Sequence, residues 1–315
     1  MLFLSKEFLS LPCLIKLPLI MNKLDVYRIL IPTDFSDTAN LALEHAIRMA
    51  QLLDSEIILL HVVSTFAFRV NLPEVDIDES QNAKLSGAIG ARLAQIAEEI
   101  KSKHGVKVNT MITYGRIREE VVRIADETDA DMIILGTHGV SGIREFFMGS
   151  NAFRIVSEAS CPVLSVQQSA QQFGFKNIVV PIDNSFHSRE KLNLAVKMAA
   201  TYNASIHICG LRSHDHDDEE INAKFRMKMK QVEDFLKERQ VEFTVSTVFC
   251  SNIARSTMDY AAEKNADLII IMNEQEINTT GFFMGPYAQQ IVNHSTIPIL
   301  SIRPTSGFVN SVTPY

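Results

Sequence analysis

Five short runs rich in Ile, Val and Leu mark the first half of the chain: ILIP (29–32), EIILLHVV (56–63), VNTMITY (108–114), DMIILG (131–136) and PVLSV (162–166). Most are apolar at consecutive rather than alternate positions, as strands buried on both faces are. Between them the period changes. Ala42, Ala46, Met49, Ala50 and Leu53 fall at i, i+4, i+7, i+8 and i+11, and Ile89, Leu93, Ile96, Ala97 and Ile100 repeat that register. Ile117, Val121, Ile124 and Ala125 outline a shorter third helix, and NAFRIVSEA (151–159) a fourth. Strands alternating with helices predict βαβ units and a parallel sheet covered on both sides. The stretch STFAFRVNLPEVDIDESQNAKL (64–85) has no clear period and reads as a loop or lid.

The pattern is written twice. YRILIPTDFSDTANLALEHAIRMAQLLDSEIILLHVV returns as KNIVVPIDNSFHSREKLNLAVKMAATYNASIHICGLR, ADMIILGTHG as ADLIIIMNEQ, and CPVLSV as IPILSI. A repeat of this length is a whole domain rather than a solenoid unit. The expected architecture is therefore α/β, with two tandem doubly wound domains, each a five-stranded parallel sheet flanked by helices. The domains are placed at 25–167 and 176–305, with a polar linker at 168–175 and a tail at 306–315. In the second copy, Phe225, Met229, Val232 and Leu236 mark a helix and read as packing.

Composition narrows the possibilities without changing this plan. With 315 residues, 46% of them hydrophobic, the chain can bury a substantial core. A formal charge of -7 with no basic stripe speaks against nucleic-acid binding. Cys13, Cys161, Cys209 and Cys250 form no C-x-x-C pair, so neither zinc nor a redox dithiol is indicated, and reduced thiols in the cytoplasm are expected. The apolar opening MLFLSKEFLSLPCLIKLPLI is broken by Lys6, Glu7 and Lys16 and is too short to span a bilayer, so no membrane attachment is expected. Residues 1–24 are expected to be a disordered or mis-assigned extension, with Met21 opening the native start. HDHDDEE (214–220) has residue types that could chelate a metal, but it reads as a solvated charged loop.

Candidate chemistry gathers at two strand ends, PTDFS after the first strand and GTHG after the fourth. In an open parallel sheet, ligands bind beyond the carboxyl ends of the strands. Gly136 and Gly139 allow close backbone approach, and Gly149-Ser150 opens a helix whose N-terminal N–H groups suit phosphate. The spacing G-x2-G-x9-G-S, together with PTDFS, resembles the ATP-binding branch of the universal stress protein family. The resemblance runs from about residue 25 to 304, as in a tandem two-domain member, and implies a Rossmann-like fold of the adenine nucleotide α-hydrolase type.

That resemblance implies roles residue by residue. Pro32, Thr33 and Asp34 are placed at the adenine and ribose end, with Asp34 accepting hydrogen bonds, and Val62 and Leu135 as apolar walls around the base. Gly136, Gly139, Gly149, Ser150 and Asn151 are placed at ribose and phosphate, and a divalent cation, Mg2+ or Mn2+, is held mainly through phosphate oxygens. Without the resemblance, Asp34 reads as a turn former before a helix that Ser36 or Asp37 also caps, and Ser150 as a simple helix cap. His138 and Arg144 are either phosphate contacts or solvated.

The second copy departs from this pattern. Asp183 and Gly285 match Asp34 and Gly149, but Met272 and Gln275 replace Gly136 and Gly139, Glu274 and Glu276 add negative charge, and Pro286 removes a donor. The expectation is one ATP site, in the first domain of a stress-response regulator. The resemblance further implies that CPVLSV pairs with IPILSI, as last strands pair across a dimer in that family, giving an intramolecular pseudo-dimer that can associate further as a homodimer. Two alternatives stay open: a slow ATP hydrolase, although the chain lacks a P-loop and an S-G-G-x-D-S loop, and a structural adaptor that binds no nucleotide.

Overall fold

A computed structural model of the chain describes residues 23–64, 79–137, 148–213, 219–273, 275–278 and 281–304. In the first half, β1 (Arg28–Pro32), β2 (Glu56–Ser64), β3 (Val108–Gly115), β4 (Met132–Gly136) and β5 (Val163–Val166) lie parallel in the order β3-β2-β1-β4-β5. The second half contains β6 (Asn177–Ile182), β7 (Ser205–Ser213), β8 (Phe243–Cys250), β9 (Leu268–Met272), a separate antiparallel pair β10 (Gln275–Asn278) and β11 (Gly281–Met284), and β12 (Ile299–Ile302). Its parallel strands repeat the order as β8-β7-β6-β9-β12. The two five-stranded blocks join into one ten-stranded sheet through β5 and β12, which run antiparallel with Leu164 opposite Leu300. The expected pairing of CPVLSV with IPILSI is the seam of the molecule.

Helices α1 (Asp37–Leu53), α2 (Glu79–His104), α3 (Ile117–Glu127) and α4 (Ser150–Glu158) belong to the first half. In the second, a 3-10 turn at Phe186–Arg189 precedes α5 (Leu192–Tyr202), α6 (Glu219–Glu238), α7 (Ile253–Glu263) and α8 (Pro286–His294). Successive strand residues point to opposite faces, so a doubly covered sheet needs apolar side chains at every position. Ile29, Ile31, Ile57 and Leu59 join the core beneath α1 and α2, while Leu30, Ile58 and Leu60 join the one beneath α3 and α4. Apart from Ala97, the apolar residues that set the predicted helical periods lie in or against these cores.

Two stretches differ from expectation. Residues 79–85, read as the end of a loop or lid, are the first turns of α2; Lys84 and Leu85 are exposed, and ESQN (79–82) offers no apolar residue to set a period. The remainder of that stretch, 65–78, lies outside the described residues, as do 1–22, 305–315 and His214 and His216 of the acidic segment, whose Glu219 and Glu220 open α6. The hairpin of β10 and β11, to which the sequence reading assigns no element, packs β11 against α4 of the first half.

The connection from β5 to β6 is fastened to α1. His45, 4% exposed, lies edge-on to Phe173 and stacks with Phe175, whose ring meets Tyr202 of α5. Its Nε2 donates to the carbonyl of Ala170 (3.0 Å). Burial pushes the imidazole pKa below its ordinary value, against the opposing pull of Ala170 and Glu44. The unfolded chain therefore binds the extra proton first. Stability is full above an unfolded-state pKa of about 6.5 and is lost as pH falls below it toward the lower folded value. A His45→Gln chain, which keeps a donor and cannot titrate, should lose less of its melting temperature than the wild type between about pH 7 and pH 5. A pH series of thermal melts checks this, and parallel curves would count against it.

Candidate functional site

β1 ends at Pro32, and Thr33 extends its ladder by one bond, from its N–H to the carbonyl of Leu60 (2.8 Å). The chain then turns sharply. Phe35 adopts φ 64°, a left-handed conformation uncommon for a non-glycine residue. Its N–H donates to Thr33 Oγ1 (3.0 Å), and its ring stacks on His61 at 4.9 Å. His61 Nδ1 in turn donates to the Thr33 carbonyl (2.8 Å), so three contacts hold the turn. Asp34 Oδ1 accepts from the Ser36 N–H (3.0 Å), and Ser36 Oγ caps α1 by accepting from Ala39 N–H. Asp34 thus performs the turn-forming role, with Ser36 as the cap, while also lining a cleft.

β4 delivers the second wall. The Thr137 N–H bonds the carbonyl of Val166 (3.1 Å), and when the chain returns, the Gly149 N–H bonds the carbonyl of Thr137 (2.8 Å). That bond fixes the start of α4 at the end of β4. α4 opens behind Gly149 with no side-chain cap and no acidic residue in its first turn, leaving positive dipole density and amide donors at this end.

Between these walls lies a cleft of about 330 Å3. Pro32, Thr33, Asp34, Val62, Leu135, Gly136, Gly149, Ser150 and Asn151 all line it. The tenth residue expected there, Gly139, lies outside the described residues with His138 and Arg144. The sequence reading missed Ala39, Leu60, Ile117, Thr137, Ala152 and Ile155. Leu60 was within reach, standing two residues before Val62 on the same strand face. Ile117 was not, because only the packing of α3 beside β2 brings it there. A larger cavity, about 610 Å3, lies at the other ends of the strands. There Glu56 pairs with both Arg28 and Lys107, and none of the residues singled out for chemistry lines it.

The two glycines of the cleft differ in kind. A Cβ on Gly136 would lie 2.7 Å from the backbone carbon and oxygen of Thr38. Packing of α1 against β4 therefore demands glycine there, a reason separate from ligand approach. A Cβ on Gly149 would meet only the Thr137 oxygen, at 3.5 Å, an ordinary contact.

In the second half the matching turn is filled from within. Asp183 Oδ1 accepts from the backbone N–H and the hydroxyl of Ser185 (3.0 and 2.6 Å), and Lys228 Nζ donates to the carbonyls of Asp183 and Ser185 (both 2.9 Å). Lys191, 3% exposed, donates to the Ser188 carbonyl. Burial works to raise the Asp183 carboxyl, but the Ser185 bond and the Lys191 charge together hold it below the usual carboxylate range. Met272 is buried, and Pro286 stands at the first position of α8.

Comparison with known proteins agrees with this duplication. A model of the universal stress protein family matches residues 26–167 and again 174–303. Universal stress protein MJ0577 of Methanocaldococcus jannaschii is 32% identical over 154 residues, covering 45% of this chain and 94% of its own length. The crystal structure of a universal stress protein from Archaeoglobus fulgidus superposes with a TM-score of 0.69 at 17% identity, over 88% of this chain and 98% of that one. A universal stress protein solved in complex with cAMP is 21% identical, covering 45% of this chain and 98% of its own, with a TM-score of 0.34.

Proposed function

The chain belongs to the universal stress protein family, and from that membership and the cleft of its first half we propose that it is a regulatory protein binding ATP at a single site. The observation that carries this reading is the cleft at the ends of β1 and β4, where Asp34 faces the uncapped start of α4. Base and ribose lie against Pro32, Thr33, Asp34, Val62 and Leu135. The phosphates lie toward Gly136, Gly149, Ser150 and Asn151, where amide donors and the helix dipole favour negative charge. Asp34 is the one carboxylate among the described lining residues, too few donors for an all-protein cage, so Mg2+ or Mn2+ is carried on phosphate oxygens. The second half, with Met272, Pro286 and the self-contained Asp183 turn, completes the sheet and binds no nucleotide.

Calorimetric titration with ATP tests the reading, with an expected stoichiometry of one per chain. Asp34→Asn keeps an oxygen for the Ser36 N–H but loses the charge. It should weaken ATP binding by roughly 10-fold to 100-fold, the worth of one hydrogen bond to a charged group, about 1.5–3 kcal/mol. Two sites per chain, or an affinity unmoved by Asp34→Asn, would contradict the assignment.

A further inference from the structure

Beside the cleft, and sharing Ile117 and Asn151 with it, lies a second hollow of about 390 Å3 whose other walls are Ser64, Arg116 and Arg118. Its character is set by the start of α3. Arg116 occupies the N-cap position without capping the helix. Arg116 and Arg118 both reach one carboxylate oxygen, Glu119 Oε1, at 3.1 and 3.7 Å. Two guanidinium groups against one carboxylate leave a net positive charge, and each guanidinium has five donors to satisfy. The next carboxylate along, Glu120, is engaged by Arg123 and Thr113. The two adjoining hollows therefore place a carboxylate, Asp34, in one and a pair of cations in the other, and this polarity favours a ligand whose anionic end lies toward the arginines.

The second half supplies an internal control. α7 has the same length as α3, 11 residues, and also begins with isoleucine, which places Asn252 at the position of Arg116 and Ala254 at that of Arg118. Asn252 caps its own helix, accepting from the Arg255 N–H at 2.8 Å. The copy that carries Met272 and Pro286 thus lacks both cations as well. Neither arginine is required by the fold's plan, because the same helix forms without them.

We propose that Arg116 and Arg118 hold the distal phosphates of the bound nucleotide, so that the site selects nucleoside polyphosphates over monophosphates and cyclic monophosphates. The proposal rests on the nucleotide reading of the main cleft. The phosphate chain passes from Ser150 over Asn151, which belongs to both hollows, to the guanidinium pair. Arginine suits this end, since its planar fork matches phosphate oxygens and stays charged at every working pH.

The test is titration of the full-length chain, wild type and Arg116→Gln/Arg118→Gln, with ATP, AMP, cAMP and inorganic tripolyphosphate. Wild type should bind ATP more tightly than AMP or cAMP. The double variant should lose about 10-fold or more in affinity for ATP and for tripolyphosphate, with AMP and cAMP changed by less than about 2-fold. Both side chains are at the surface, and a thermal melt should show the fold essentially unmoved. An unchanged ATP affinity, or equal losses for ATP and AMP, overturns the proposal and leaves the main cleft as it stands. Arginine-dependent binding of tripolyphosphate with no binding of any nucleotide removes the nucleotide reading and, with it, selection among nucleotides, leaving only an anion site. A wild-type chain that binds none of the four overturns both.

Discussion

Leu300→Ala is expected to cost the folded chain about 2–5 kcal/mol, the range for removing a fully buried leucine side chain. Leu300 is 0% exposed and stands opposite Leu164, also 0% exposed, in the middle of the antiparallel β5–β12 pair. Truncation leaves a cavity in the strand pair that makes two five-stranded blocks one sheet. The surroundings are poorly placed to collapse into it, because the flanking pairs, Ile299 with Ser165 and Ser301 with Val163, are tied by the ladder. Second-half residues also hold α4 from its far end: Asn273 Nδ2 donates to the Val156 carbonyl (2.6 Å) and Arg303 to that of Glu158 (3.3 Å). A loosened seam should therefore be felt at the helix whose other end lines the cleft. Urea unfolding measures the loss, and a Leu164→Ala/Leu300→Ala cycle should show coupling of about 0.5–3 kcal/mol. A cost below about 1 kcal/mol with strictly additive singles would show that the halves do not depend on this contact.

Gly136→Met, which writes the second copy's residue into the first, is expected to destabilise the chain by about 3 kcal/mol, the upper end of the overpacking range, and to abolish ATP binding. The clash is with backbone, at 2.7 Å from Thr38, so no side-chain rotation relieves it. The second half, which carries such a residue, is built differently at this point. Met272 is 3% exposed, and the helix after β6 does not start where α1 does. α1 begins three residues after Asp34, whereas α5 begins nine residues after Asp183, behind a 3-10 turn. A side chain at this strand end of the first half would take the space of the first turn of α1, where Thr38 lies. In the first half that turn supplies Ala39 to the cleft, so its displacement removes one wall. Gly149→Ala is the control: its Cβ has room, and its melting temperature should stay close to wild type. If Gly136→Met melted like wild type and still bound ATP, the packing argument would fail.

Much of this was legible in the sequence. The duplicated apolar runs gave both parallel blocks, and the family resemblance carried by the glycine spacing and PTDFS implied nine residues that the structure gathers around one cleft. Gly136 was legible as a necessary glycine but for a different reason, since a sequence does not show that Thr38 packs across it. The start of α2 at Glu79 escaped notice because ESQN (79–82) offers no apolar residue to set a period, and the hairpin of β10 and β11 because its strands are short and stand outside the main sheet. Arg116 and Arg118 carried no signal until α3 was seen beside β2, next to Asn151 from a helix more than thirty residues further along.

The order of residues by itself determined the layers, the repeat and the difference between the copies, because burial on two faces and close backbone packing each demand particular side chains at particular positions. Tertiary structure alone decided that Gly136 serves the packing of a helix, that the hairpin of β10 and β11 lies against α4, and that two arginines stand beside the cleft. Those facts depend on which surfaces meet across long separations in the chain, and a local pattern of apolar and polar residues records which surfaces must be covered, not by what.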